Sequence, residues 1–347
     1  MSLKKCLGFL LASVLLTAAG FAQQEAVAPP MRQKGKIVLD VVVTPKNGRP
    51  VTELTQGQFT LLDNKAERPI TSFKPVVGNE APVEVILLVD AVNTGFQSVA
   101  FERQQIDKFL KANGGQLAHP MTLAIFTDTN TQIQDGFTKD GNALAASLDK
   151  FTIGLRDIRR SAGFYGATDR FDLSMKALGE IAAHEGPRPG RKILLWVSPG
   201  WPLLSGPGVE LDRKQQDGIF ARVVSLSTQL RLAHITLYNV DPIGASESVL
   251  RTSYYQQFVK GISKPSQVDL GDLGLQVLAA QTGGLVLNAN NDITGELQKV
   301  MDDTQAYYEI SFDPAPADQA NEFHPIQVQV AQPGLVARTR NGYYSQP

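Results

Sequence analysis

The stretch "VILLVDAVNT", residues 85–94, runs apolar and then ends on Asp90 before small polar residues. A carboxylate placed where a buried strand meets solvent can hold a metal ion, cap the next segment, or organise its own loop by accepting backbone N–H bonds. Asn93, three residues on, adds an amide beside it. Two other stretches carry recognition chemistry. "RDIRRSAGFYGATDR" gathers Arg156, Arg159, Arg160 and Arg170. Guanidinium groups match carboxylates in shape and charge, so Arg159 and Arg160 are candidates for contacting an acidic partner, with a solvated loop as the alternative. "SPGWPLLSGPG" sets Trp201 among prolines and glycines. An indole exposed on such a loop would anchor an interface, whereas one packed over a helix end would be structural. Tyr254 and Tyr255 form a weaker version of the same signal.

Catalytic constellations are thin. The four histidines, His119, His184, His234 and His324, are scattered, with no pair at zinc-binding spacing. "WVSPGW" has Trp196 where a nucleophile elbow needs glycine, so Ser198 lacks that context. "GGLVLNANND" lacks a phosphate-loop lysine, and its paired glycines read as a helix stop. The expectation is a binding protein and no enzyme.

The elements that must position these residues follow from pattern. Residues 1–22 place Lys4 and Lys5 before an apolar run and end in small residues, the form of a secretory signal cleaved near Ala22. The run is shorter than the roughly 20 apolar residues of a spanning helix, so a membrane anchor is not expected. A secreted or periplasmic location follows. Cleavage removes the sole cysteine, Cys6, so no disulfide is expected. It also leaves 31 basic and 34 acidic residues, a balance that offers nothing to nucleic acid.

After a Pro-containing linker, 23–34, residues 35–80 read as short β-strands with turns at Asn47-Gly48 and "DNKAE". From residue 82 to 313, near-continuous apolar runs such as "VEVILLVD", "MTLAIFT", "KILLWVS" and "ITLYNVD" alternate with helical stretches, which predicts a mostly parallel sheet covered on both faces. Phe171, Met175, Leu178 and Ala182 fall on one helical face. Residues 314–347 return to strands. The economical arrangement is an α/β fold, a doubly wound mostly parallel sheet, inserted into a small β-sandwich made from both chain ends.

"VEVILLVDAVNT", "GATDRFDLSMKALGEIA" and the closing stretch from "LGLQVLAAQTGG" to "YYEISFDP" together resemble the von Willebrand factor A (VWA) domain. Over nearly the whole mature length the chain resembles secreted VWFA-related proteins of acidobacterial type. The resemblance implies a metal-ion-dependent adhesion site of the form Asp-x-Ser-x-Ser, a threonine and a further aspartate. Carried over position by position, it places Asp90, Thr94 and Thr168 as ligands of Mg²⁺ or Mn²⁺. It also implies recognition of a protein or surface polymer through the upper loops. Here Val92 takes the first serine position, and Pro199 stands where the second aspartate belongs, so the site is degenerate. Asp128 or Asp169 would have to supply the missing acid. Two binding readings therefore stand, metal-assisted adhesion through Asp90, Thr94 and Thr168, and metal-independent recognition or scaffolding through Arg159, Arg160, Trp201 and Asn93; a hydrolase is a third class, which would need a clustered Ser/His/acid constellation in the fold.

Overall fold

The computed structural model describes residues 35–46, 48–78, 83–150, 163–201, 210–242, 262–268, 274–288 and 291–345. The expected signal and linker lie outside them. Strand β1, Ile37–Pro45, buries Ile37, Leu39, Val41 and Val43 and turns Val38 and Asp40 toward the periphery, the two-residue period of a sheet with one core face. It is followed by β2 (Phe59–Asp63), β3 (Ala66–Arg68) and β4 (Ile70–Val77). The middle of the chain contributes β5 (Val83–Asp90), α1 (Phe96–Lys111), β6 (Gln116–Phe126), β7 (Thr131–Ile133), β8 (Thr138–Asp140), α2 (Gly141–Lys150) and α3 (Gly163–Glu185). It continues with β9 (Arg191–Val197), α4 (Arg213–Leu232), β10 (Ile235–Val240), α5 (Leu275–Gln281), β11 (Val286–Leu287) and α6 (Ile293–Asp303). The last strands are β12 (Ala306–Phe312), β13 (Glu322–Val330), β14 (Leu335–Arg338) and β15 (Gly342–Ser345).

The central sheet runs β11-β10-β9-β5-β6-β7, with β8 also on β6. Its core strands β10, β9, β5 and β6 are parallel, and β7 and β8 pair antiparallel with β6. Counted in chain order, β5, β6, β7, β9, β10 and β11 lie as 3-2-1-4-5-6, the doubly wound order. Odd and even residues of β5 feed different cores, as doubly covered strands require. Ile86 and Leu88 pack with Phe171 and Leu178 of α3 and Val223 of α4, whereas Val85, Leu87 and Val89 pack with Ile106 and Phe109 of α1 and Leu297 of α6.

The chain ends interleave. One small sheet runs β14-β1-β12-β4 and the other β15-β13-β2-β3, so each takes strands from both termini. Their shared core includes Leu39, Val41, Leu61, Tyr308, Ile310, Val328 and Tyr343. Strand β12, left with the α/β segment by the expected boundary at 313, pairs with β1 through Ile37↔Phe312 and with β4 through Ala306↔Val77. Its place is in the sandwich.

Candidate functional site

The order of the strands reverses between the parallel neighbours β5 and β9: the chain winds from β5 toward β6 on one side and resumes with β9 on the other. Ligands of open α/β sheets bind beyond the carboxyl ends of strands at this switch point. Asp90 ends β5 there, and it is fully buried. Its Oδ1 accepts the backbone N–H groups of Val92 and Asn93, both at 2.8 Å. Its Oδ2 accepts Asn93 Nδ2 at 2.8 Å, Trp196 Nε1 at 3.0 Å and Ser198 Oγ at 2.7 Å. Five donors on two oxygens fill the roughly four lone-pair directions a carboxylate offers.

The register explains how β9 reaches this carboxylate. Leu88 sits opposite Trp196 in the β5/β9 ladder, and the alternation of side chains brings Asp90 and Ser198 together two residues further on. A second layer holds the donors. Asn93 Nδ2 also donates to Ser174 Oγ at 3.0 Å, and Ser174 donates to the Arg170 carbonyl at 2.7 Å. Ser198 Oγ accepts Gly200 N at 2.9 Å, while Asn239 Nδ2 donates to the Ser198 carbonyl at 2.8 Å. Gln276 Nε2 donates to the Pro199 carbonyl at 3.1 Å. Asn93 and Ser198 are thus oriented before they meet Asp90.

Beside this satisfied carboxylate lies an unsatisfied one. Glu102 of α1 is fully buried, and neither carboxyl oxygen makes a hydrogen bond. Burial pushes its pKa well above the ordinary carboxylate value, and the charges of Asp90 and Asp241 push the same way. The neighbouring Thr94 hydroxyl opposes them. That hydroxyl is itself buried and lies outside hydrogen-bond geometry. Desolvation and two like charges favour the neutral acid.

Several expectations need correction. Trp201 is not a rim anchor: 2% exposed, it packs on Trp196 with ring centroids 5.9 Å apart and edge-on to Phe171 at 6.2 Å. The physical reason is the turn at Gly200, whose φ of +79° folds the chain back against Leu275 and Gln276. Arg170 is buried on α3 and is not part of a solvated loop. Asn93 is buried too, and it faces Asp90 and Ser174 where a ligand contact was expected. Thr168 sits half-buried on α3. Arg159, Arg160, Tyr254 and Tyr255 lie outside the described residues.

The adhesion-site pattern does not fit a divalent ion here. Asp90 offers its oxygens to N–H and O–H donors, Val92 brings a buried apolar side chain to a ligand position, and Pro199 brings no carboxylate. Asp169 is exposed on α3, and Asp128 lies in the turn after β6. Among the described residues, no group of three His, Cys, Asp or Glu side chains could hold a metal. A hard cation needs several oxygens in one shell, and this donor set is already spent on hydrogen bonds.

Trp196, Ser198, Ser174 and Glu102 were missed as site residues. Only Glu102 left a direct signal in the sequence, an acid standing on the apolar stripe Val99, Ile106, Phe109 and Leu110 of α1.

No family model matches the sequence, and no curated protein is significantly similar to it. Solved structures with similar folds include the human COPII-coat protein Sec24c, at 9% identity, TM-score 0.36, covering 82% of this chain and 49% of that one. This chain therefore spans about half the length of Sec24c. The manganese-loaded TRAP protein of Plasmodium vivax matches at 10% identity and TM-score 0.33, covering 77% of this chain and 95% of TRAP. The VWA domain of SpRpn10 matches at 12% identity and TM-score 0.30, covering 62% and 95%. Likeness at this level carries no ligand, metal or partner across. The VWA-like fold stands on the strand order and on the two helical layers.

Proposed function

We propose that this chain is an exported, non-enzymatic binding protein that engages a protein or a surface polymer through the loops at the carboxyl edge of its VWA-like sheet, with no bridging metal. The observation that supports this reading is the closure of Asp90 by five hydrogen-bond donors, three of them side chains, Asn93 from the loop after β5 and Trp196 and Ser198 from the end of β9. Where a metal would tie the first strand to its neighbours, Asn93, Trp196 and Ser198 tie it directly. The same contacts argue against hydrolysis. The hydroxyl of Ser198 is engaged by Asp90 and Gly200, with no histidine beside it among the described residues. Arg159 and Arg160 remain candidate contacts on sequence grounds, and Trp201 acts from beneath as support for the edge.

Calorimetric titration of chelator-treated protein with Mg²⁺ and then Mn²⁺ tests the reading. No saturable heat is expected, and chelator should leave the melting temperature unchanged. Saturable binding at millimolar affinity or tighter that disappears in Asp90→Asn would restore metal-assisted adhesion through Asp90, Thr94 and Thr168.

A further inference from the structure

The connection between α1 and β6 carries "KANGGQ", residues 111–116, and with it one of three Asn-Gly pairs in the chain. The others are Asn47-Gly48, of which Asn47 lies outside the described residues, and Asn341-Gly342. An asparagine followed by glycine is chemically vulnerable. The backbone nitrogen of the next residue can reach the side-chain carbonyl carbon, and glycine has no β-carbon to shield that nitrogen. The dipeptide is the same in each case, and the fold separates them.

Asn113 and Gly114 are both exposed, and both adopt left-handed conformations, with φ of 51° and 71°. Nothing stands within 4 Å of the place a Gly114 β-carbon would occupy. Two bonds bracket the turn, from the Gln116 amide to the Asn113 carbonyl and, at 3.0 Å, from Asn142 Nδ2 to the Gly114 carbonyl. Neither engages the Asn113 side chain. Asn341 is held differently. Its amide donates to the Gln281 carbonyl at 3.1 Å, and its carbonyl accepts the Ile326 amide at 2.8 Å. Gly342 is buried in β15 opposite Pro325, where a β-carbon would lie 2.3 Å from the Phe323 ring and 2.6 Å from the His324 carbonyl oxygen. Closing a ring at Asn341 would have to pull β15 out of its ladder.

We propose that Asn113 is a site of spontaneous deamidation and isoaspartate formation, selected over Asn341 by the fold. The Gly114 amide nitrogen attacks Asn113 Cγ and forms a new C–N bond that closes a five-membered succinimide. The bond from Cγ to Nδ2 breaks, and ammonia leaves with the proton that the Gly114 amide gives up. Water then adds to either ring carbonyl and opens the ring, to aspartate or, with the main chain rerouted through the side chain, to isoaspartate. Either product places a new carboxylate just beyond the carboxyl end of α1, where the helix carbonyls already carry partial negative charge. Isoaspartate also lengthens the main chain at the turn that seats α2, whose Gly141 lies so close to the Leu110 and Gly115 carbonyls that a β-carbon there would clash. This inference is independent of how the carboxyl edge works.

Ageing the full chain in mildly alkaline buffer, then digesting it rapidly in mild acid and sequencing the peptides that hold residues 113 and 341 by tandem mass spectrometry, tests it. In the folded protein Asn113 should be converted at least about tenfold faster than Asn341, since exposed turns open at almost no free-energy cost and packed strands do not. In urea, with the fold gone, the two rates should come within a few-fold of each other. The product at 113 should contain isoaspartate, which only the ring route makes. Equal rates in the folded chain, the same preference for Asn113 in urea, or a folded chain that protects Asn113 while the unfolded one converts it would overturn the proposal. So would a product that is aspartate alone, which direct hydrolysis of the side-chain amide gives.

Discussion

Asp90 and Glu102 are both fully buried carboxyls of one electrostatic neighbourhood, and they are treated in opposite ways. Asp90 sits at a strand end where loop amides, an indole and a hydroxyl converge, and it accepts five hydrogen bonds. Glu102 sits mid-helix, where the backbone N–H groups are already used, and it accepts none. Burial is the same in both cases, so it is the supply of donors that separates the two sites. A strand terminus offers free amides that a helix interior does not.

The comparison can be broken at either carboxylate. Asp90→Ala should have the largest effect, a loss on the order of 5 kcal/mol in urea denaturation, because it strands several buried donors at once. A loss under about 1 kcal/mol would mean that the donors find water and that Asp90 organises nothing. Trp201→Ala should cost about 3–4 kcal/mol by removing the ring that packs on Trp196 and Phe171. In the unmodified protein iodide should quench indole emission poorly, and ready quenching would return Trp201 to the surface.

Glu102→Gln should have the smallest effect and the opposite sign. Below the ordinary value of 4.5 both the folded and unfolded forms of Glu102 are protonated, so the variant should stay within about 1 kcal/mol of the parent. As pH rises above 4.5 the unfolded chain releases its proton while the folded one retains it, and the parent loses stability that the variant keeps. Urea midpoints across pH 4–8 read this directly. A variant that is less stable than the parent at neutral pH would show that Glu102 is charged and paired in the fold.

Much of the architecture was legible because its signals are local. Strand runs such as "KILLWVS" are apolar throughout, the α3 stripe repeats at helical spacing, and the return to short strands marks both chain ends. The role of Asp90 was half legible. Its place at a strand end stood in the sequence, but its partners Trp196 and Ser198 lie more than 100 residues away and depend on cross-strand register. Trp201 was misplaced for a related reason. Proline and glycine neighbours mark a turn without saying which way it folds, and the positive φ of Gly200 sends the indole inward.

The interleaved sandwich has a consequence for the order of events during synthesis. The Leu54 amide donates to the Tyr308 hydroxyl across 254 residues, and among the described residues β1 pairs with β12 and β14. Contacts of such long sequence separation form late, because the loop between them must close first. The first strand made by the ribosome, β1, is thus among the last to pair. Until β12 to β15 emerge, β1 to β4 present unpaired edges, whereas the inserted α/β region already has its own partners. A chain built this way cannot finish folding from its amino end.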